Sequence, residues 1–140
     1  QKLKNILKEI YTTGGNPLNC FQLNNGKDFI LVYDKVLIKI NCHGILGNWK
    51  QNVLMLDFYC TNAILFEGYV LLMSESLIQV YDINKAMDIP LQELIPCQII
   101  KGKKIYLLND DLNDNVVILK SSHPNIPNRQ LLLKCNITNY

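Results

Sequence analysis

Two histidines, five cysteines, an acidic run and a lysine-rich turn are the side chains with which this chain could do chemistry. His43 precedes Gly44 and His123 precedes Pro124, so both read as loop residues. A histidine base works on a nearby Ser or Cys and is oriented by a carboxylate. Neither histidine has such partners at a suggestive spacing, and no catalysis is expected. Asp110, Asp111 and Asp114 could suggest a calcium loop, but the central Gly, the closing Glu and the flanking helices are missing. They read as a solvated turn. Lys101-Gly-Lys-Lys104 has neither the Gly-rich spacing nor the trailing Ser/Thr of a phosphate-binding loop. The expectation is a hairpin whose lysines guard a sheet edge.

The cysteines, Cys20, Cys42, Cys60, Cys97 and Cys135, contain no C-x-x-C pair, and their number is odd. That argues against a zinc site and against a disulfide framework. All are expected to be reduced thiols packed as small hydrophobes, as in a cytosolic protein. No catalytic, cofactor-binding or metal-binding residue is assigned, no cofactor is implied, and no partner-binding residues are singled out. Trp49, the sole tryptophan, is expected to pack between structural units rather than anchor a partner.

The net charge is only +2, and the basic residues are thirteen Lys with the single Arg129. Nucleic-acid recognition recruits Arg in numbers, so none is expected. Lys2, Lys4 and Lys8 fall short of the ~4–8 basic residues of a lipid-reading patch. No apolar run nears the ~18 residues of a membrane span, no secretory leader is expected, and the Asn136-Ile-Thr138 sequon is accordingly expected to be idle.

The elements that must carry these residues repeat. Asn19–Leu23, Asp28–Tyr33 and Val36–Ile40 are echoed by Asn62–Phe66, Tyr69–Met73 and Leu77–Tyr81. Pro96–Ile100, Lys104–Leu108 and Val116–Lys120 read as a third copy. Strand triplets recurring every ~35–45 residues have the period of a β-propeller blade. The first two copies align at an offset of 40, Leu31 on Leu71 and Ile38 on Ile78. Phe29–Tyr33 and Tyr69–Met73 are apolar on both alternating faces, as strands covered on both sides are. Tight turns at Asp34-Lys35 and Ser74–Ser76 join paired strands, and Asn109–Asn115 is a longer acidic turn. Outer strands are expected within Val53–Tyr59, Leu91–Ile95 and Gln130–Asn136. At the start, Leu3, Ile6, Leu7 and Ile10 have helical spacing, and Gly14, Gly15 and Pro17 end that helix.

The fold expected is therefore all-β, about three blades of a propeller behind a short helix. Residues 1–16 form the helix and linker and 17–140 the blade repeats, within one domain. Three blades do not close a ring. Each end would bare roughly 500 Å² of apolar surface, and covering one such face is worth about 12 kcal/mol by area. The remaining blades are expected from another stretch of the same parent.

Asp28-Phe-Ile-Leu-Val-Tyr-Asp34, then Val36–Asn41 and Gly44, resembles the Phe-Leu-Leu-Cys-Tyr … Val-Asn … Gly segment of citron homology domains. Tyr69-Val-Leu-Leu-Met-Ser74 followed by Leu77–Ile83 resembles the family's Pro-Tyr-Leu-Leu-Ala-Phe … Ile-Glu-Ile segment, and Leu91–Ile95 sits where it has Leu-Val-Gln-x-Ile. The likeness runs over about Leu18–Lys134. Val32 replaces the family's Cys, Gly68-Tyr69 its Pro-Tyr, and Val80-Tyr-Asp82 its Ile-Arg-Asn, the marks of a diverged fungal member.

The resemblance implies a propeller, seven-bladed when complete, of which this is the C-terminal part. It implies a non-catalytic module of a fungal Rho guanine-nucleotide exchange factor, docking a Rho-type GTPase or neighbouring domains. The alternative it implies is a vacuolar or endosomal tethering subunit recognising Rab-type GTPases. It also implies a cytoplasmic protein recruited to the plasma membrane at sites of polarised growth.

Overall fold

The computed structural model describes residues 15–44, 47–108 and 117–135. Three antiparallel sheets follow one another along the chain. The first pairs β1 (Pro17–Leu23), β2 (Asp28–Tyr33), β3 (Val36–Asn41) and β4 (Val53–Met55) in that order. The second pairs β5 (Asn62–Phe66), β6 (Tyr69–Met73), β7 (Leu77–Asp82) and β8 (Gln98–Lys101). The third pairs β9 (Tyr106–Leu107), β10 (Val117–Ser122) and β11 (Gln130–Cys135). Two four-residue helices, α1 (Trp49–Asn52) and α2 (Lys85–Asp88), lie in the stretches leading to β4 and β8. Each sheet is a meander in which every strand pairs with the next in sequence, which is blade topology.

The sheets stack face to face. Ile30 and Val32 of β2, Leu37 of β3 and Phe21 and Leu23 of β1 meet Ala63, Val70, Leu72 and Tyr81 of the second sheet. On the opposite face of that sheet, Ile64, Phe66, Leu71, Met73 and Ile78 meet Ile105 and Leu119. Alternate residues of β6 thus enter two different cores, which is why its sequence shows no polar face. Leu72 and Ile78 are fully buried, and side chains of that size contribute about 1.5–3 kcal/mol each by burial. Polar ties reinforce the first interface: Asn19 Nδ2 donates to the Ala63 carbonyl at 2.9 Å, and Lys39 Nζ to that of Ala86 at 3.3 Å.

The alignment of blades one and two needs correction. Ile30 pairs with Lys39 and Val32 with Leu37, while Leu71 pairs with Val80 and Met73 with Ile78. All these side chains point toward the following sheet, so the blades correspond at an offset of 41 rather than 40. Leu72, not Leu71, is the counterpart of Leu31. One residue of slip exchanges the two faces of a strand, and only the packing fixes the phase.

The third repeat is also corrected. Gln98–Lys101 is the outer strand of blade two, paired with β7, and the third blade begins at β9. Gln130–Cys135 pairs only with β10 and forms the edge of the third sheet among the described residues, as expected of an outer strand. Leu91–Glu93 forms a 3-10 turn instead of a strand, with Leu91 and Leu94 buried under the first interface. The expected N-terminal helix and the turn at 109–115 lie outside the described residues, as does the Trp49 side chain.

Candidate functional site

Among the described residues, the histidines and cysteines singled out in the sequence lie apart from one another, the neighbours Cys42 and His43 excepted. His43 is exposed beside β3, where its N–H donates to Asn41 Oδ1, and His123 stands at the end of β10. Cys60 is buried, and burial pushes its thiol above the usual range, so it stays protonated and unreactive. Cys20, Cys42 and Cys97 are exposed instead of serving the core as expected. Among the described residues no group of three or more His, Cys, Asp or Glu could hold a metal ion. Asp110, Asp111 and Asp114 fall outside those residues.

One buried polar network ties blade two to the edge of blade one. Tyr81 donates its hydroxyl to Gln79 Oε1 at 2.6 Å, and Gln79 Nε2 donates to Asp57 Oδ1 at 3.2 Å. Burial, with the Asp57 charge as a smaller cause, pushes the Tyr81 phenol up to about 12. Gln79 is therefore a satisfied structural amide, not a reactive group.

The two ends of the stack differ from its middle. On the first sheet, Val36, Ile38 and Val53 cluster only with Leu31, Tyr33 and Ile40 of the same sheet. A shallow groove of about 310 Å³ runs beside them, with Leu18, Cys20, Leu31 and Tyr33 in its lining. On the third sheet Leu119 faces blade two, while its neighbour Lys120 pairs with Tyr106 and Leu132 on the opposite face. Tyr106 is 50% and Leu132 71% exposed there. Apolar side chains also stand out on the rim, at Met55 of β4, Tyr59, Ile95 and Ile99 of β8.

Beside that open face lies a cationic pocket of about 450 Å³ whose lining includes Lys103, Lys104, Lys120, His123 and Arg129 and, among the described residues, no carboxylate. The turn that carries Lys103 and Lys104 is held by Ser121, one of two buried polar residues among those described. The Ser121 hydroxyl accepts from Lys103 N at 3.2 Å and donates to the Lys103 carbonyl at 3.0 Å, and Ser122 N donates to that same carbonyl at 2.7 Å. The turn fits only because residue 102 is Gly: a Cβ there would lie 2.8 Å from Ser121 Oγ and 3.0 Å from the Ile105 side chain. Lys101–Lys104 is accordingly a link between blades and not the expected hairpin. Sequence reasoning missed Lys120 and Arg129, since only strand pairing brings them to Lys103 and Lys104. The sole arginine was the one available hint.

No family model matches this chain. In three dimensions it superposes on the AfRom2 CNH (citron homology) domain with a TM-score of 0.67, at 17% sequence identity, over 89% of this chain and 36% of that one. The chain has the citron homology fold. In sequence it is 44% identical over 129 residues to the Rho1 guanine nucleotide exchange factor TUS1 of Saccharomyces cerevisiae, 92% of this chain and 10% of that protein. The chain thus spans about a tenth of the curated relative and about a third of the citron homology chain. The resemblance carried by β2–β3 and β6–β7 is confirmed, and with it the propeller architecture. No described helix is long and apolar enough to cross a membrane.

Proposed function

We propose that this chain is part of a non-catalytic citron homology propeller that docks a Rho-type GTPase, or neighbouring domains of its parent, within a Rho guanine-nucleotide exchange factor. The observation that carries this reading is the 44% identity to a stretch of a Rho1 exchange factor. The scattered histidines and the inert Cys60 agree with a binding role. The exposed apolar side chains at the rim, Met55, Tyr59, Ile95 and Ile99, supply surface of the kind that binding partners cover. The same identity favours an exchange factor over a vesicle-tethering subunit. The remaining blades belong to the same parent, with residues 17–140 as its C-terminal repeats. Its setting is the cytoplasm, with recruitment to the plasma membrane at sites of polarised growth.

The test is capture of Rho GTPases, nucleotide-free and nucleotide-loaded, by the complete propeller. Retention of a Rho protein, or of another domain of the parent, supports the reading. Retention of neither, with Rab proteins captured instead, overturns it in favour of the tethering role.

A further inference from the structure

Four permanent or near-permanent cations, Lys103, Lys104, Lys120 and Arg129, border one pocket, and none makes an ion pair among the described residues. Like charges gathered without counter-charge repel one another. The protein nevertheless spends specific structure on holding them there. The Ser121 clasp fixes the backbone of Lys103, and Gly102 permits it. Lys104 and Asn128, both at the pocket, sit at φ 51° and 63°, a left-handed conformation that is unfavourable for a lysine and tolerated by an asparagine. The returning loop is fastened as well: His123 N donates to the Arg129 carbonyl at 2.8 Å, and His123 Nδ1 accepts from Asn125 N at 3.1 Å and Ile126 N at 3.0 Å. With Nδ1 an acceptor, the neutral imidazole carries its proton on Nε2 and is a further donor. A set of donors without acceptor-only groups, held on fixed turns, is complementary to an oxyanion with several oxygens.

We propose that this pocket binds a ligand bearing two or more phosphate groups, with Lys103, Lys104, Lys120 and Arg129 as the phosphate-contacting side chains. Two phosphomonoesters carry about −3 to −4 at neutral pH, which balances the four cations. The volume of about 450 Å³ lies in the ordinary range for a small-molecule site. The ligand could be a phosphoinositide headgroup in a bilayer or a soluble inositol phosphate, which share this chemistry.

The test uses the intact parent protein. Inositol 1,4,5-trisphosphate is titrated by calorimetry, and phosphatidylcholine vesicles with and without phosphatidylinositol 4,5-bisphosphate are tested by co-sedimentation. Binding in either arm is expected, weakened tenfold or more by the Lys120→Gln/Arg129→Gln pair and falling steeply with added salt. The rim substitution Lys85→Gln should leave it unchanged. Binding to vesicles alone assigns the ligand to the bilayer, and binding of the free trisphosphate alone assigns it to solution. Absence of binding in both arms, as when a carboxylate of a further blade fills the pocket, overturns the proposal. So does binding that the double substitution leaves intact while melting temperature shows the protein folded. Neither outcome bears on Rho capture, so the two readings fail separately.

Discussion

β2 and β6 are almost interchangeable as text, Phe-Ile-Leu-Val-Tyr against Tyr-Val-Leu-Leu-Met, yet they live in different surroundings. In β6 every residue after Tyr69 is buried, because a sheet covers each face. In β2 only Ile30 and Val32 are buried, and Leu31 and Tyr33 are partly buried. The third sheet shows the same imbalance at the other end, with Leu119 fully buried and Leu132 open to solvent. Equal hydrophobicity with unequal burial means that the strands are written for neighbours on both sides. The citron homology fold, of which this chain covers about a third of a solved example, supplies the reason. Propeller sheets are stabilised by the sheets beside them, as repeat units are by adjacent repeats.

The sharpest way to break this comparison is a matched pair of truncations. Leu72→Ala, at a fully buried site, should cost about 2–5 kcal/mol in urea unfolding. Leu31→Ala, at the equivalent position of blade one, should cost about 1 kcal/mol or less if its face stays open. In the intact parent the two costs should converge, because the preceding blade covers Leu31. Next in size is Gly102→Ala. The added methyl must displace either Ser121 or Ile105, and overpacking of this kind costs about 1–3 kcal/mol. Thermal unfolding would show it as a lowered midpoint.

The Tyr81 network offers a smaller and more selective test. Blade one carries Ile40 and Ile38 at the equivalents of Tyr81 and Gln79, so of these two blades blade two alone has this hydroxyl–amide link. Tyr81→Phe should cost about 1 kcal/mol, the usual worth of such a bond. The phenol also sets a pH dependence. Below its ordinary value of 10.0 both folded and unfolded chains hold the proton; between there and about 12 only the unfolded chain releases it. The unfolded state then binds fewer protons, and stability falls as pH rises through that window. Equilibrium unfolding across it should show the slope in the native protein and lose it in Tyr81→Phe. The smallest effect belongs to the exposed Lys35–Tyr59 pair, whose ammonium lies 4.0 Å from the ring centroid. Tyr59→Leu should cost about 0.5 kcal/mol, measured by the same unfolding.

The repeat, the meander and the incomplete stack were legible because turn signals and two-faced apolar strands leave few other architectures. The phase of the repeat was not. Where both faces are apolar no polar residue marks which is which, so Leu31 could be laid on Leu71 as readily as on Leu72. Leu91–Ile95 reads as a strand by composition, but Pro90 and the burial of Leu91 and Leu94 against the first interface favour a turn there. That displacement shifted the start of the third blade. The cationic pocket was invisible for a different reason. Lys103 and Arg129 are distant in sequence, and the antiparallel pairing of β9, β10 and β11 alone makes them neighbours.

Hydroxyl-radical footprinting of the intact parent addresses the central claim most directly. Tyr106 and Leu132 stand on the face where a further blade belongs, while Tyr59, 66% exposed, stands at the rim as a reference. Tyr106 and Leu132 should react several-fold more slowly than their exposures of 50% and 71% would give, with Tyr59 reacting freely. Oxidation of Tyr106 and Leu132 as fast as their exposure in this stack allows would mean that no blade covers them, and would contradict it.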